Sequence, residues 1–374
     1  FICLFACFSV FLFSLQISVL HFRISSWNVK MLLARNRRGR AGCLHRQFIR
    51  CVSQAQRSLI DRVAKVREEL DSRVVGHDSV KDGLFLALVA REHAFVEGDP
   101  GSCKTVLANL IAQSVDGVPY YHQCHRDTRI SDLIGETVIV EKDILDQQDT
   151  VASSAVTAEV RHGGILTANL AVIDDITRVP GEALNVLLRI LNERQFNGTR
   201  LPLVSVFATA TPHQLSYYTD PLEPATLDRF VIQLRTQEIL QDGGTSDWRA
   251  AHDVLHLNQG HTSRLSQNIP LDVLHRGYSQ LVHGTRVRTA DKIRVLAFLR
   301  RLQQCITDAF ASQHKYSSGP RNTGHDIEVP QKSNLLSDRT FLVKLLKLLK
   351  ATAFLNGRNV TQPDDLSELP CYVV

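Results

Sequence analysis

The first sixty residues contain no aspartate and no glutamate. Arginines crowd the same stretch, at Arg35, Arg37, Arg38, Arg40, Arg46, Arg50 and Arg57, so the formal net charge of +5 resides in this arm and the remainder is near neutral. An excess that small implies only a mild attraction to anionic partners. Neither interleaved aromatics nor a nucleic-acid motif accompanies the arginines, which argues against sequence-specific nucleic-acid recognition. A basic arm that touches nucleic acid through charge alone is left open as a weaker reading. The eight cysteines include no C-x-x-C pair and no paired spacing, which argues against a zinc ribbon and a disulfide framework and favours a reducing compartment. The nearest approach to a metal corner is His122, Cys124 and His125, but a strand there sends neighbouring side chains to opposite faces.

Methionine occurs once, at Met31, and it separates two unlike segments. Residues 1–22 are apolar and long enough to span a bilayer or serve as a signal anchor; the alternative is that they lie upstream of the true start. From Met31 to residue 57 the chain has the composition of an organelle presequence. The expected location is therefore the cytoplasm, or the mitochondrial matrix if that presequence is real. A membrane role depends on residues 1–22 being retained.

The 374 residues, 44% of them apolar, suffice for one large domain and a smaller one. Residues 1–57 read as the arm, 58–236 as a nucleotide-binding core and 237–374 as a helical lid. Ser58 to Ser72 has the spacing of an amphipathic helix, and a second helix is expected from Ser79 to Ala90. Ala94-Phe95-Val96-Glu97 reads as a short strand. It opens into Gly98-Asp99-Pro100-Gly101-Ser102-Cys103-Lys104-Thr105, and helical spacing returns from Val106 to Ser114.

Strand, glycine-rich loop and helix, in that order, form the setting of a phosphate-binding loop. Small residues let successive backbone N–H groups close on phosphate oxygens at the positive end of the following helix. Lys104 would neutralise the β and γ phosphates, and the Thr105 hydroxyl would ligate Mg²⁺. Cys103 departs from the pattern, which has glycine at that position. A thiol at a helix start beside a lysine has the setting of a reactive one, and a drifted loop with an inert thiol is the alternative reading.

Leu170 to Asp174 is an apolar run closing on two carboxylates, Asp174 and Asp175, as a buried parallel strand does. An acid at its carboxyl end would meet the Mg²⁺ beside the loop, and Asp175 is placed to orient an attacking water. Leu203 to Ala208 reads as a third strand, and Thr211 beyond it is placed to aim a polar group at the γ phosphate or at the water. Arg229 lies in a short helix before a strand at Val231 to Leu234.

These motifs together resemble the MoxR group of AAA+ ATPases, relatives of the magnesium chelatase ATPase subunit, over about Val74 to Leu366. The resemblance rests on Val75-Gly76-His77-Asp78, the loop, Ser131-Asp132-Leu133-Ile134-Gly135, Asp174 to Pro180 and Asn192-Glu193-Arg194-Gln195. Leu227-Asp228-Arg229-Phe230, Ser337 to Thr340 and Gly357 to Leu366 complete it. The resemblance implies an α/β fold, a P-loop AAA+ parallel sheet sandwiched by helices, followed by a smaller all-α lid. It implies that ATP and Mg²⁺ bind, with Val75 and Gly76 near adenine, residues 98 to 105 around the phosphates and Asp174 as the Walker B carboxylate. Arg229 would be an arginine finger and Arg339 the second sensor. It further implies a ring of this chain, six subunits in number, that acts on a client or partner protein.

Where the family has glycine, glutamate and asparagine, this chain has Cys103, Asp175 and Thr211. An aspartate is shorter than glutamate, and a displacement of about an ångström costs on the order of a hundredfold in rate. Slow hydrolysis is one expectation, and a nucleotide-binding scaffold without turnover is the other. In the lid, helices are expected at Ser246 to Leu257, Leu271 to Val282, Thr289 to Ala311 and Arg339 to Leu355. Residues 312–336 read as a polar insertion loop. Lys344, Lys347 and Lys350 are expected on the wet face of the last helix.

Overall fold

The computed structural model describes residues 53–135, 137–145, 151–160, 163–212, 222, 224–236, 248–256, 265–316 and 338–369. The first helices, α1 (Gln54–Arg73) and α2 (Asp78–Ala90), lead into β1 (Ala94–Glu97) and then α3 (Lys104–Gln113). Next come β2 (Val115–Asp116), β3 (Pro119–Gln123), α4 (Ile130–Ile134) and the paired strands β4 (Thr137–Leu145) and β5 (Val151–Val160). The chain continues through β6 (Leu170–Asp174), α5 (Gly181–Glu193), β7 (Gln195–Phe196), β8 (Thr199–Arg200) and β9 (Ser205–Ala210). After α6 (Pro224–Leu227) and β10 (Ile232–Arg235) come α7 (Trp248–His256), β11 (Ile269–Pro270) and α8 (Leu271–Gly284). The last helices are α9 (Thr289–Tyr316), α10 (Asp338–Leu355) and α11 (Pro363–Glu368).

Five strands pair in parallel in the order β10-β1-β9-β6-β3. Every residue of β6 and β9 is buried, as expected of central strands covered by helices on both faces. One apolar cluster joins the α2 and α3 face of the sheet to Leu59 and Leu70 of α1, Leu274 and Leu281 of α8, and Leu345, Leu348 and Phe354 of α10. The opposite face packs Phe95, Ile173 and Phe230 against Leu187 and Ile190 of α5. This is a helix-sandwiched α/β core with a helical lid.

Three expectations change. Helix α9 runs on to Tyr316, so residues 312–316 continue a helix, while 317–337 of the expected insertion lie outside the described residues. Helix α3 begins at Lys104, two residues before Val106, which draws Lys104 and Thr105 into the first turn. The lysines of α10 do not form a wet face. Lys344 donates to the Asp228 carbonyl at 3.4 Å, Lys347 to Glu92 Oε1 at 2.6 Å and Lys350 to the Val282 carbonyl at 3.0 Å. Their long stems lie along apolar surface while the ammonium groups reach acceptors on neighbouring elements. Helical spacing gave the stripe, but not what packs against it.

Two polar anchors fasten α1. The Gln56 amide donates to the Phe354 carbonyl at 2.9 Å. Glu69 accepts from the backbone N–H groups of Ser266 and Gln267; against the burial that opposes it, these bonds with those from Ser266 Oγ and Arg73 draw its carboxyl down to about 2.

Candidate nucleotide site

In parallel sheets ligands collect at the carboxyl ends of the strands, and here those ends carry the sequence's polar residues. Glu97 pairs with Ala210 on one side and Arg235 on the other, and Gln123 pairs with Asp174. The loop from Gly98 to Cys103 therefore begins beside the ends of β9 and β10 and finishes on the first turn of α3. Gly98 N–H donates to the Ala210 carbonyl at 3.1 Å, and Ser102 N–H to the Asp99 carbonyl at 3.2 Å. A Cβ at position 98 would stand 1.7 Å from Thr236 Oγ1, so only glycine fits there. Thr236 in turn donates to Ser102 Oγ at 2.8 Å.

Gly101 has φ +84° and Cys103 φ +60°, both in the left-handed region. For glycine this conformation carries no strain; for cysteine it costs roughly 1–2 kcal/mol. The Cys103 side chain is exposed, with Sγ 3.9 Å from the Gly101 carbonyl oxygen. Lys104 is buried to 7% exposure, and its Nζ donates to the Asp99 carbonyl at 3.2 Å, so the ammonium is held within the loop.

Asp174 ends β6 with its carboxylate enclosed by hydroxyls. Thr105 donates to Oδ1 at 2.7 Å, Thr209 donates to the same oxygen, and Tyr121 donates to Oδ2 at 3.2 Å. Thr209 also accepts the Asp175 N–H at 3.2 Å, which fixes the turn after β6. That turn places Asp175 at φ +53°. The Asp175 carboxylate accepts from Thr211 Oγ1 at 3.4 Å and lies 3.5 Å from Arg178 Nε. Burial, and then the charge of Asp174, push the Tyr121 phenol up to about 12, so it remains a donor.

Sequence reasoning did not find Tyr121, Thr209 or Thr236. Thr209 and Thr236 could have been found as the polar residues closing strands on the loop's side. Tyr121 required the strand order, which places β3 beside β6.

The other expected site residues lie apart from this group. Gly76 occupies the left-handed turn before α2 with φ +72°, and Val75 beside it is half-buried. Arg229 follows α6 instead of lying within it. Its guanidinium is 3.6 Å from Asp228, and Asn192, with its amide oxygen turned toward it, accepts from Arg229 Nη1 and Nε at 3.3 Å each. Arg339 is in the first turn of α10, and its side chain lies outside the described residues.

Oxygen donors of the Thr105 and Asp174 kind suit Mg²⁺, which prefers carboxylate, hydroxyl and water ligands. The loop's N–H groups, the start of α3 and a buried ammonium suit an anion of several charges. A family model described as the MoxR domain of MoxR, vWA and β-propeller ternary systems matches residues 61–265. The chain belongs to the MoxR family. An AAA lid domain model matches residues 323–373.

Similar proteins agree with this. An uncharacterised Methanocaldococcus jannaschii protein, MJ0079, is 28% identical over 319 residues, covering 83% of this chain and 70% of its own length. Chaperone MoxR1 of Mycobacterium tuberculosis is 28% identical over 173 residues, 44% of this chain and 42% of its own. Protein MoxR of Methylorubrum extorquens is 28% identical over 219 residues, 57% of this chain and 59% of its own. The last two matches span less than two thirds of those relatives. A crystal structure from Cytophaga hutchinsonii, described as a candidate ATPase, superposes with TM-score 0.59 at 20% identity, covering 86% of this chain and 88% of that one, and shares the AAA+ fold. Among the described residues no helix is long and apolar enough to cross a membrane.

Proposed function

We propose that this MoxR family member binds ATP with Mg²⁺ and hydrolyses it slowly, using the cycle to remodel a partner protein or to assist metal or cofactor insertion into it. The observation that carries the reading is the meeting of Lys104, Thr105 and Asp174 at the carboxyl edge of the sheet, with Thr105 and Asp174 2.7 Å apart. In this reading the loop amides and Lys104 hold the β and γ phosphates, Thr105 and Asp174 hold Mg²⁺, and Val75 and Gly76 flank adenine. The metal would draw charge from the transferring phosphoryl group. Asp175 orients the attacking water, Thr211 steadies Asp175, and Arg339 reads the phosphate from the lid.

Arg229 lies outside this group of residues, half-exposed, and in the proposed assembly it completes a neighbour's site. A head-to-tail contact that closes gives a ring, here proposed as six subunits. The client is a protein of unidentified chemistry.

A scaffold that binds nucleotide without turnover is the second reading, favoured by the short Asp175 carboxylate engaged with Thr211 and Arg178. One pair of measurements separates these. Purified protein should bind ATP and release phosphate, and Lys104→Ala should lose both. Binding without phosphate release selects the scaffold; equal ATP binding by the two proteins removes the phosphate-loop assignment.

A further inference from the structure

Asp174 presents two oxygens with different partners. Among the described residues Oδ1 receives Thr105 and Thr209, whereas Oδ2 receives only Tyr121, from the neighbouring strand β3. Thr105 belongs to the phosphate-loop helix, so Oδ1 faces the loop side of the site and Oδ2 the β3 side. A carboxylate at a strand end can rotate about its Cβ–Cγ bond, and the threonine bonds alone secure one end of it. The tyrosine bond secures the other.

We infer that Tyr121 is a positioning residue for Mg²⁺: by tethering Oδ2 it holds the Asp174 carboxylate with Oδ1 presented toward Thr105, where the metal is bound. Groups that hydrogen-bond a metal-ligating carboxylate typically contribute tenfold to a hundredfold in metal affinity. Tyr121 suits that role. It is anchored by parallel pairing through the length of β3, opposite Val172 and two residues before the Gln123 and Asp174 pair. The residue is nevertheless 47% exposed, so little apolar packing depends on its hydroxyl. The two threonines differ in this respect: Thr105 stands in the first turn of α3, beside the loop, and Thr209 also accepts the Asp175 N–H. Of the three hydroxyls, that of Tyr121 lies on neither the loop helix nor the turn, so its removal should leave both undisturbed.

The inference rests on the nucleotide reading, and the test keeps the two apart. A fluorescent ATP analogue is titrated onto wild type and Tyr121→Phe, first in EDTA and then at rising Mg²⁺, and Mn²⁺ binding in the presence of ATP is followed by electron paramagnetic resonance. Tyr121→Phe should match wild type in EDTA and in melting temperature. It should need about tenfold more Mg²⁺ for half-saturation and bind Mn²⁺ correspondingly more weakly. An unchanged or lowered metal requirement overturns the role of Tyr121 while leaving ATP binding intact. If wild type binds the analogue neither in EDTA nor with Mg²⁺, the nucleotide reading fails, and the inference with it.

Discussion

Thr105 Oγ1 donates to Asp174 Oδ1 at 2.7 Å, closing a gap of 69 residues in sequence. The bond joins the first turn of α3 to the end of a central strand, and the charge on Asp174 is what Mg²⁺ would require in the proposed function. Asp174→Asn should keep the fold, because an amide oxygen still accepts from Thr105 and Thr209 and its NH₂ can donate to the Tyr121 oxygen. We expect melting to shift by no more than the equivalent of about 1 kcal/mol, with the Mg²⁺ dependence of nucleotide binding lost. Asp174→Ala should cost more, about 1–3 kcal/mol, by leaving the buried Thr209 hydroxyl without its acceptor. Calorimetry of both variants checks this, and a Mg²⁺ dependence retained by the asparagine variant would contradict it.

Cys103 sits at φ +60°, where a glycine is unstrained. Cys103→Gly relieves roughly 1 kcal/mol of backbone strain but gives back a similar amount through the freer unfolded chain, so melting should barely move. Affinity should respond more, because no side chain then stands where backbone amides meet phosphate. A gain of about fivefold in ATP affinity, equivalent to 1 kcal/mol, is expected by fluorescence titration. In wild type, Mg-ATP should slow alkylation of Cys103, followed by peptide mass spectrometry. No gain in affinity together with equal labelling rates would show the thiol to be an inert substitution.

His93 is buried just before β1, between β9 and α5. Its Nδ1 accepts from Val206 N–H at 3.1 Å and its Nε2 donates to the Leu191 carbonyl at 2.9 Å. Burial first, and then Arg194, push it from 6.5 down to about 3. Because the folded value lies below the unfolded one, the unfolded chain binds the extra proton between them. The stability this histidine contributes is complete above pH 6.5 and is lost as pH falls toward 3. His93→Gln should flatten the dependence of unfolding free energy on pH across that window, by up to about 1.4 kcal/mol per pH unit. Urea denaturation at pH 5 and pH 7.5 measures it.

Arg229 is expected to act on a neighbouring subunit. Arg229→Ala should lose turnover while still binding nucleotide, and Lys104→Ala should lose both. Mixed together, the two inactive proteins should regain activity, since some sites combine an intact loop with an intact arginine. Phosphate release that stays at baseline at every mixing ratio, in rings shown to form by sedimentation, would place Arg229 outside the reaction.

Much of this architecture was legible because local signals coincided with what the sheet demands. The strand at Ala94–Glu97 and the run ending at Asp174 are apolar through their length, as only doubly covered strands are, and their polar ends mark the side on which chemistry collects. The pairing of Thr137–Leu145 with Val151–Val160 went unread, although Thr137-Val138-Ile139-Val140 is a β-branched run that signals a strand. Tyr121 could not be read at all, because adjacency between strands is set by crossovers and not by spacing along the chain. The lysines of α10 were misread for the opposite reason: periodicity defines a face, but a lysine's stem lets one residue belong to an apolar seam and a polar contact at once.

That seam has a mechanical meaning. Lys347 donates to Glu92 and the Arg91 carbonyl shortly before β1, and the Gly98 to Cys103 loop begins immediately after it. Between Glu92 and Gly98 lie His93 and the four residues of β1, which span roughly 13 Å of extended chain and pair to a strand on either edge. A short strand braced on both sides resists bending, so a displacement at Gly98 would be passed toward Glu92. The lid helix thus touches the chain behind the loop, with one short strand of the sheet between the two.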